Sequence, residues 1–268
     1  MEISSRQYKR YILSGGDVAA LPVGSMEVMG PHLPVGSKHF IAKAVAEALC
    51  RHHKGLCLPP VPLSPIYGKK ELGGLSMDHQ TIIDYVTDAV CEAHDNGIRR
   101  MLLVSYYCEL YYVVAEIFQE HDIPLVHVDL NHLPIFKGFD KHQSYNAMTA
   151  GSLYLLGEKA LLEKMLAANE NCLQKGGYRA PDDEQPIKGI INVTESEWCS
   201  GILPHFYNEN EYKVLPTENI DAKKAADEID KWAKGQDASM AAYASYSQVF
   251  NRAAFNRGMR MGDVGYEK

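Results

Sequence analysis

The sequence predicts a three-layer α/β/α fold built on a mostly parallel β-sheet. Short apolar runs alternate with longer amphipathic runs of helical period, and the connections between them are short. This alternation is typical of βαβ units, in which helices join parallel strands and cover both faces of the sheet. Because we find neither an internal repeat nor a linker, we predict a single domain over residues 1–268.

The first half of the chain has the clearest pattern of strands and helices. The run over 56–63 resembles a strand, but its prolines place it at an edge of the sheet or at a strand end. Apolar residues on one face, or in one buried run, predict a strand over 18–23, a helix over 38–53, a helix over 80–97 and a strand over 99–107.

The second half continues the series and then becomes harder to interpret. We predict a helix over about 109–121, a strand over 124–130 and a helix over roughly 150–168. A turn-rich excursion at 174–189 precedes a stretch of strand and loop. From residue 222 onward the pattern is helical, with a break near Gly235.

Composition and charge exclude several classes of function. The chain has 46% hydrophobic and 23% charged residues, which is ordinary for a globular protein. Its net charge is -7, and the basic residues are scattered, so we expect no nucleic-acid partner. The first sixteen residues are polar and basic, which argues against a signal peptide or a membrane anchor. Six cysteines without a CxxC pair indicate reduced thiols, so we predict a cytoplasmic protein.

Two loops are the expected place for a ligand. In a parallel sheet, ligands bind beyond the carboxyl ends of the strands, which selects the loops after strands 18–23 and 99–107. The first reads "GSMEVMGPHLPVGSKH" and the second begins "YCEL". Both contain polar and reactive side chains, so we predict a small-molecule substrate or ligand at this edge.

These loops carry a resemblance to a known family. The run "LPVGSMEVMGPHLPVGSKH" resembles the opening motif of the creatininase (creatinine amidohydrolase) family, LPxGxxExHGPHLPxxTD. Three later segments follow in the family's order: "GGLSMDHQTIIDYVTDAV", "GIRRMLLVSYYCEL" (its NGHxxN strand end) and "HQSYNAMTAGSLYLL" (its HxGxxETSxxL segment). The resemblance spans roughly residues 18–160. It implies an α/β/α fold, a homohexamer and a two-metal site, usually of zinc or manganese, that hydrolyses amides and cyclic amides.

The resemblance also assigns five metal-ligand positions, three of which have changed. They are Glu27, Met29, Lys38, Tyr107 and Glu109. The family has histidine at 29 and 107 and aspartate at 38. A thioether is a poor ligand for zinc or manganese, and an ammonium group would repel a cation. We therefore expect no metal cofactor; if a metal binds, Glu27 and Glu109 would hold it.

The changes suggest a hypothesis about charge. Without the cations, Glu27 and Glu109 would face each other, and like charges raise the pKa of carboxylates. Lys38 can supply a positive charge between them, giving a Glu–Lys–Glu cluster in place of the metals. We expect Lys38 to stand in for the metal charge without forming a covalent bond.

Other residues extend the predicted site. Cys108 lies in a loop after a buried strand, where a nucleophile is common, although a buried structural thiol is the alternative. His142 matches the family histidine near the scissile bond, and the glutamate five residues later is replaced by Ala147. Either His142 or His32 could serve as a base. The predicted catalytic residues are Glu27, Lys38, Tyr107, Cys108, Glu109 and His142.

A second group is predicted to contact substrate. It consists of His32, Met29, Tyr106 and Trp198. Packing is the alternative role in both cases: at a strand–helix junction for the tyrosines, and in the loop-rich half of the chain for Trp198. We expect the Tyr107 hydroxyl to face the pocket, because that residue occupies a ligand position.

Two classes of function remain open at this stage. The first is a creatininase-like hydrolase that acts on a small polar amide or cyclic amide through an atypical, metal-independent site. The second is a non-catalytic paralogue that keeps the fold and binds a small molecule or supports an oligomer. In either class the resemblance implies a homo-oligomer, and a hexamer if the family's assembly is kept.

Overall fold

A four-stranded parallel sheet forms the centre of the protein. The computed structural model describes residues 4–30, 32–65, 74–107, 110–133, 144–175, 214 and 216–256. The strands are β1 (Val18–Val23), β2 (Leu56–Cys57), β3 (Arg100–Ser105) and β4 (Leu125–Asp129). Their order across the sheet is β2-β1-β3-β4, and every pair is parallel.

Helices cover both faces of the sheet, which confirms the predicted α/β/α architecture. They are α1 (Ser5–Leu13), α2 (Ser37–His52), α3 (His79–Asp95), α4 (Leu110–His121), α5 (Ser144–Leu155), α6 (Lys159–Gln174), α7 (Ala222–Lys234) and α8 (Asp237–Asn256). Within the described ranges, no helix combines the length and the apolar character needed to cross a membrane.

The side chains of each strand alternate between two hydrophobic cores, as the two-residue period of a strand requires. On one face, Ala20 and Leu102 pack with residues of α2, α5, α7 and α8. On the other face, Leu21 and Leu103 pack with residues of α3 and α4. Both faces of the sheet are therefore buried beneath helices, which explains the nearly continuous apolar sequences of β1 and β3.

The edge strand behaves as its prolines predict. Only Leu56–Cys57 pair as a strand, yet the following residues remain beside β1. The N–H groups of Leu58 and Val61 donate to the carbonyls of Ala20 and Pro22, each at 2.9 Å. The prolines in 56–63 thus shorten the strand without detaching it from the sheet.

Two helix predictions need correction. The single helix predicted over 150–168 is wrong, because the chain forms α5 and α6 with a break at Gly157, whose φ is 74°. The first helix, α1, was not predicted, although Ser4 and Gln7 form a capping box at its start. The helical segment after residue 222 does break at Gly235, as predicted. The excursion predicted at 174–189 lies almost wholly outside the described residues.

Helix α8 is fastened to the start of β3. The Tyr243 hydroxyl lies 3.0 Å from the Met101 nitrogen and 2.8 Å from the Pro124 carbonyl oxygen, and only 7% of its surface is exposed. Arg100 forms an ion pair with Asp17 and donates to the Met240 carbonyl at 3.3 Å. The C-terminal helix is therefore integrated into the sheet by hydrogen bonds as well as by packing.

Candidate active site

The loops after β1 and β3 lie side by side at the carboxyl edge of the sheet. The two strands are paired along their whole length, with Val23 opposite Ser105 at the end. The loop that contains Glu27 therefore starts next to the turn that contains Tyr106 and Tyr107. The predicted location of the site at this edge follows from the observed topology.

Two glycines fix the path of the first loop. A Cβ on Gly24 would lie 2.5 Å from the Cα of His39, so only glycine allows β1 to end this close to α2. Gly36 has a φ of 84° at the start of α2, a conformation that glycine adopts without strain. Its N–H donates to the Glu27 carbonyl at 3.3 Å, which folds the loop back on itself.

The centre of the described site is an ion pair between two of the predicted residues. The Nζ atom of Lys38 lies 2.8 Å from Oε2 of Glu27. The side chains are 17% and 25% exposed respectively, so the pair is largely shielded from water. The Ser25 hydroxyl donates a longer hydrogen bond to the same carboxylate oxygen, at 3.4 Å.

The aromatic ring of Tyr106 contacts the ammonium group of Lys38. The Nζ atom of Lys38 lies 5.8 Å from the centre of the Tyr106 ring, within the range of a cation–π contact. The ring is itself held by Tyr145 of α5, with ring centres 5.8 Å apart, and by a contact from its hydroxyl to the Met148 sulfur at 3.6 Å. Asn131, just after β4, donates to the Tyr106 carbonyl at 2.9 Å.

Met29 and His32 are buried beneath the loop. Met29 is 1% exposed and packs with Leu33, Leu153 and Met165 in a third hydrophobic cluster between the loop, α5 and α6. His32 is also 1% exposed. Burial lowers the pKa of His32 to about 4, and the polar side chain of Asn146 opposes this shift only in part. His32 is therefore a neutral imidazole near pH 7.

Tyr107 contacts a histidine that the sequence analysis did not identify. The Tyr107 hydroxyl forms a short hydrogen bond with Nδ1 of His79, the first residue of α3. The Tyr107 side chain is 6% exposed and packs in the core beneath α3 and α4, whereas His79 is exposed. The only local signal for His79 was its position after the N-cap Asp78, which does not indicate a partner 28 positions away.

Four of the predicted residues lie outside the described residues: Cys108, Glu109, His142 and Trp198. Ala147, which stands where the resemblance would have a glutamate, is 2% exposed on α5. The structure thus brings together Glu27, Lys38 and Tyr106, with Tyr107 and His79 at the adjacent strand end.

Comparison with known proteins identifies the family. The family model for creatininase, described as creatinine amidohydrolase, matches residues 1–153, more than half of the chain. The chain belongs to the creatininase family. The match contains Glu27, Lys38 and Tyr107, so the site described above lies within the family's region.

Solved structures of the family share the fold over nearly the whole chain. A crystal structure of creatinine amidohydrolase is 16% identical, with a TM-score of 0.61, and the alignment covers 93% of this chain and 96% of that one. A structure described as "Creatininase Mn" is 14% identical, with a TM-score of 0.59 and coverage of 94% and 96%. No curated protein matches the chain. At these identities the likeness establishes the fold alone.

Proposed function

We propose that this protein is a hydrolase of a small polar amide or cyclic amide, and that Lys38 replaces the positive charge of the metal ions used elsewhere in its family. The observation that carries the proposal is the 2.8 Å ion pair between Lys38 and Glu27. These two residues occupy positions that the family resemblance assigns to metal ligands. In this chain they bind each other.

The donor groups support a metal-independent site. The Glu27 carboxylate is paired with the Lys38 ammonium group, and the Met29 side chain packs within a hydrophobic cluster. A thioether is a weak ligand for hard or borderline cations such as manganese and zinc. Within the described ranges, no group of three or more His, Cys, Asp or Glu side chains could hold a metal ion. The described positions therefore do not fit a two-metal centre.

The shielded ion pair suits the stabilisation of an oxyanion. When water attacks an amide carbonyl, negative charge develops on the carbonyl oxygen, and a positioned cation in a partly dry site stabilises it. The Lys38 ammonium supplies such a cation, and its ion pair with Glu27 fixes its position in the site. The contact with the Tyr106 ring restrains the ammonium group and leaves its positive charge intact.

The accompanying proton transfers fall to residues around this pair. Glu27 can accept a proton from the attacking water as the C–O bond forms, and the proton is then passed to the nitrogen as the C–N bond breaks. Cys108, Glu109 and His142 remain predicted participants, with a Cys108 nucleophile as an alternative to direct attack by water. We do not expect creatinine to be the substrate, because the family's reaction on it depends on metals.

A second candidate is a non-catalytic protein that binds a small molecule in the same cleft. The observation that favours it is again the ion pair, because a closed pair satisfies both groups and need not open for chemistry. For either candidate, a cytoplasmic location and a homo-oligomeric assembly, hexameric if the family's assembly is kept, stay predictions.

The test is an activity screen with matched variants. The full chain is incubated with small amides, lactams and cyclic ureides, with and without a chelator, and the products are measured by liquid chromatography and mass spectrometry. Lys38→Met should lower kcat/KM by about 10²–10³-fold, the effect of removing one oxyanion-stabilising group. Lys43→Met, on the same helix, should leave it unchanged.

Three outcomes distinguish the candidates. Activity that survives chelation and depends on Lys38 supports the metal-independent hydrolase. Activity that is lost with chelator and restored by zinc or manganese contradicts it. Ligand-dependent thermal stabilisation without turnover, lost in Lys38→Met, supports the binding protein.

A further inference from the structure

A small cleft lies between the end of α2 and the start of α8. This α2–α8 cleft has a volume of about 260 Å³, and Arg100, the first residue of β3, also lines it. Lys38 is in the first turn of α2, whereas His52 is the last residue of that helix. The α2–α8 cleft is therefore at the opposite end of α2 from the candidate active site, and the proposed reaction does not use it.

Basic side chains predominate among the ionisable groups that line the α2–α8 cleft. Among the described residues, the basic ones are His52, His53, Lys54 and Arg100, and the acidic one is Asp237. The Asp237 side chain is 89% exposed, so it is free to turn toward solvent. A ligand in the cleft would therefore meet more positive than negative groups.

The carboxylates that pair with two of these basic groups lie outside the lining. Asp17 binds Arg100, with Nε and Oδ2 3.0 Å apart, and Asp230 binds His52, with Nε2 and Oδ1 2.9 Å apart. Neither Asp17 nor Asp230 lines the α2–α8 cleft. These ion pairs hold the basic side chains in position and place no further negative charge on the surface of the cleft.

Hydrogen bonds to backbone carbonyls fix the interior of the cleft. Nε2 of His53 donates to the Ala233 carbonyl at 2.8 Å, and only 7% of the His53 side chain is exposed. Nη1 of Arg100 donates to the Met240 carbonyl of α8 at 3.3 Å. Because these side chains are already ordered, a ligand that contacts them loses little affinity to ordering them.

Lys54 supplies an exposed cation next to this ordered interior. It follows the C-cap residue of α2 and has a φ of 54°, in the left-handed region that glycine adopts without strain. Within the described ranges, no carboxylate forms an ion pair with its ammonium group. The backbone at this position would favour glycine, so the conformation of the turn does not explain the lysine.

We propose that the α2–α8 cleft binds the phosphate group of a small phosphate ester. Lysine and arginine bind phosphate through charge-assisted hydrogen bonds. A phosphate monoester carries up to two negative charges, and Lys54 and Arg100 face the cleft from two different elements. The volume of the cleft leaves room for a small organic group beside the phosphate. The proposal holds or fails independently of any hydrolase activity.

Calorimetric titration of the full chain tests the proposal. Glycerol phosphate is the probe for an ester and inorganic phosphate is the probe for the free ion, while potassium chloride at matched ionic strength controls for screening. We expect saturable binding of one glycerol phosphate per chain, weaker binding of inorganic phosphate and none of chloride. Bound ester should also slow hydrogen exchange in the first turns of α8, because it contacts both α8 and the end of α2.

Lys54→Gly separates ligand binding from stability. The affinity for glycerol phosphate should fall about tenfold, the effect of losing a hydrogen bond to a charged group. Urea unfolding should show a stability at least equal to that of wild type, because glycine relieves the positive φ. Lys224→Met, at an exposed position of α7, should leave the affinity unchanged.

A second pair of variants changes the charge of the cleft from the other side. Ala241 is exposed on α8 and lines the α2–α8 cleft. Ala241→Glu should weaken the binding of glycerol phosphate by like-charge repulsion. Ala241→Gln, which has the same shape without the charge, should bind more tightly than Ala241→Glu.

Three results would overturn the proposal. The first is the absence of saturable binding, or a tighter binding of inorganic phosphate than of glycerol phosphate. The second is an affinity that neither Lys54→Gly nor Ala241→Glu changes. The third is binding that is lost in Lys38→Met and kept in Lys54→Gly, which would place the anion in the candidate active site.

Discussion

Glu27 and Lys38 are joined across the first loop of the site by a contact of 2.8 Å between Oε2 and Nζ. Glu27 lies shortly after the end of β1, and Lys38 is in the first turn of α2. The ion pair therefore closes the loop between them as well as balancing charge. A change at either residue should affect both the loop and the electrostatics of the site.

A double-mutant cycle should reveal the coupling between these residues. Lys38→Met leaves a shielded carboxylate without this cation and should lower the free energy of unfolding by about 1–3 kcal/mol. Combining it with Glu27→Gln should cost less than the sum of the single changes, with a coupling of roughly 0.5–3 kcal/mol. Urea unfolding of the four proteins measures this. Additive single effects would show that the ion pair does not stabilise the loop.

Gly24→Ala should displace the helix that carries Lys38. The new Cβ would lie 2.5 Å from the backbone of His39, so α2 must move away from β1 and carry Lys38 with it. We expect the free energy of unfolding to fall by about 1–3 kcal/mol. The catalytic activity or ligand affinity that depends on Lys38 should decrease as well. Gly235→Ala is the matched control, because its Cβ would meet only ordinary contacts from 3.4 Å outward. Equal stability of the two variants would contradict the close approach.

Tyr243→Phe should loosen the C-terminal helix. Without the hydroxyl, the Met101 N–H and the Pro124 carbonyl lose their shared buried partner. Each unsatisfied group costs roughly 1–3 kcal/mol, although water entering the gap would reduce the total. Hydrogen exchange should show faster opening of α8. Tyr246→Phe, on the exposed side of the same helix, is the control. Unchanged exchange in Tyr243→Phe would contradict the fastening of α8 to β3.

Two buried histidines should make the fold sensitive to acid. Burial is the main cause that lowers the pKa of both His32 and His94 to about 4, from an ordinary value of 6.5. Above pH 6.5 both rings are neutral in the folded and unfolded states, so they cause no pH dependence. As the pH falls from 6.5 to 4, the unfolded chain binds protons that the folded chain does not, and stability decreases.

The size of this effect can be measured by substitution. Each histidine should contribute a loss on the order of 3 kcal/mol at pH 4 relative to pH 7.5. Urea unfolding at several pH values should show a shallower decline for His94→Gln than for wild type. His121→Gln, at an exposed position of α4, should leave the decline as it is. A wild-type stability that is constant from pH 7.5 to 4 would contradict the assigned role of burial.

The sequence predicted the fold better than it predicted details of the site. The central residues of β1 and β3 are apolar because both faces of the sheet are covered, and this pattern can be recognised without knowledge of tertiary contacts. The break at Gly157 was missed because apolar periodicity continues on either side of it, although glycine followed by a new helix was a usable signal. The capping residues of α1 were likewise present in the sequence but were not recognised.

The site was predictable only where family positions specified the geometry. The resemblance placed Glu27 and Lys38 at neighbouring ligand positions, and they do form an ion pair. The contact between Tyr107 and His79 could not be inferred in this way, because it depends on how α3 packs against the end of β3. The burial of Met29 depends similarly on the packing of α5 and α6 against the loop.

Metal binding by the intact chain tests the central claim most directly. Purified protein is dialysed with zinc or manganese, freed of unbound ions and analysed by inductively coupled plasma mass spectrometry, alongside Lys38→Asp and Glu27→Gln. If Lys38 replaces the metal charge, the wild-type chain should retain no stoichiometric metal, and Lys38→Asp should retain more. Retention of one or more ions per wild-type chain, lost in Glu27→Gln, would contradict the account.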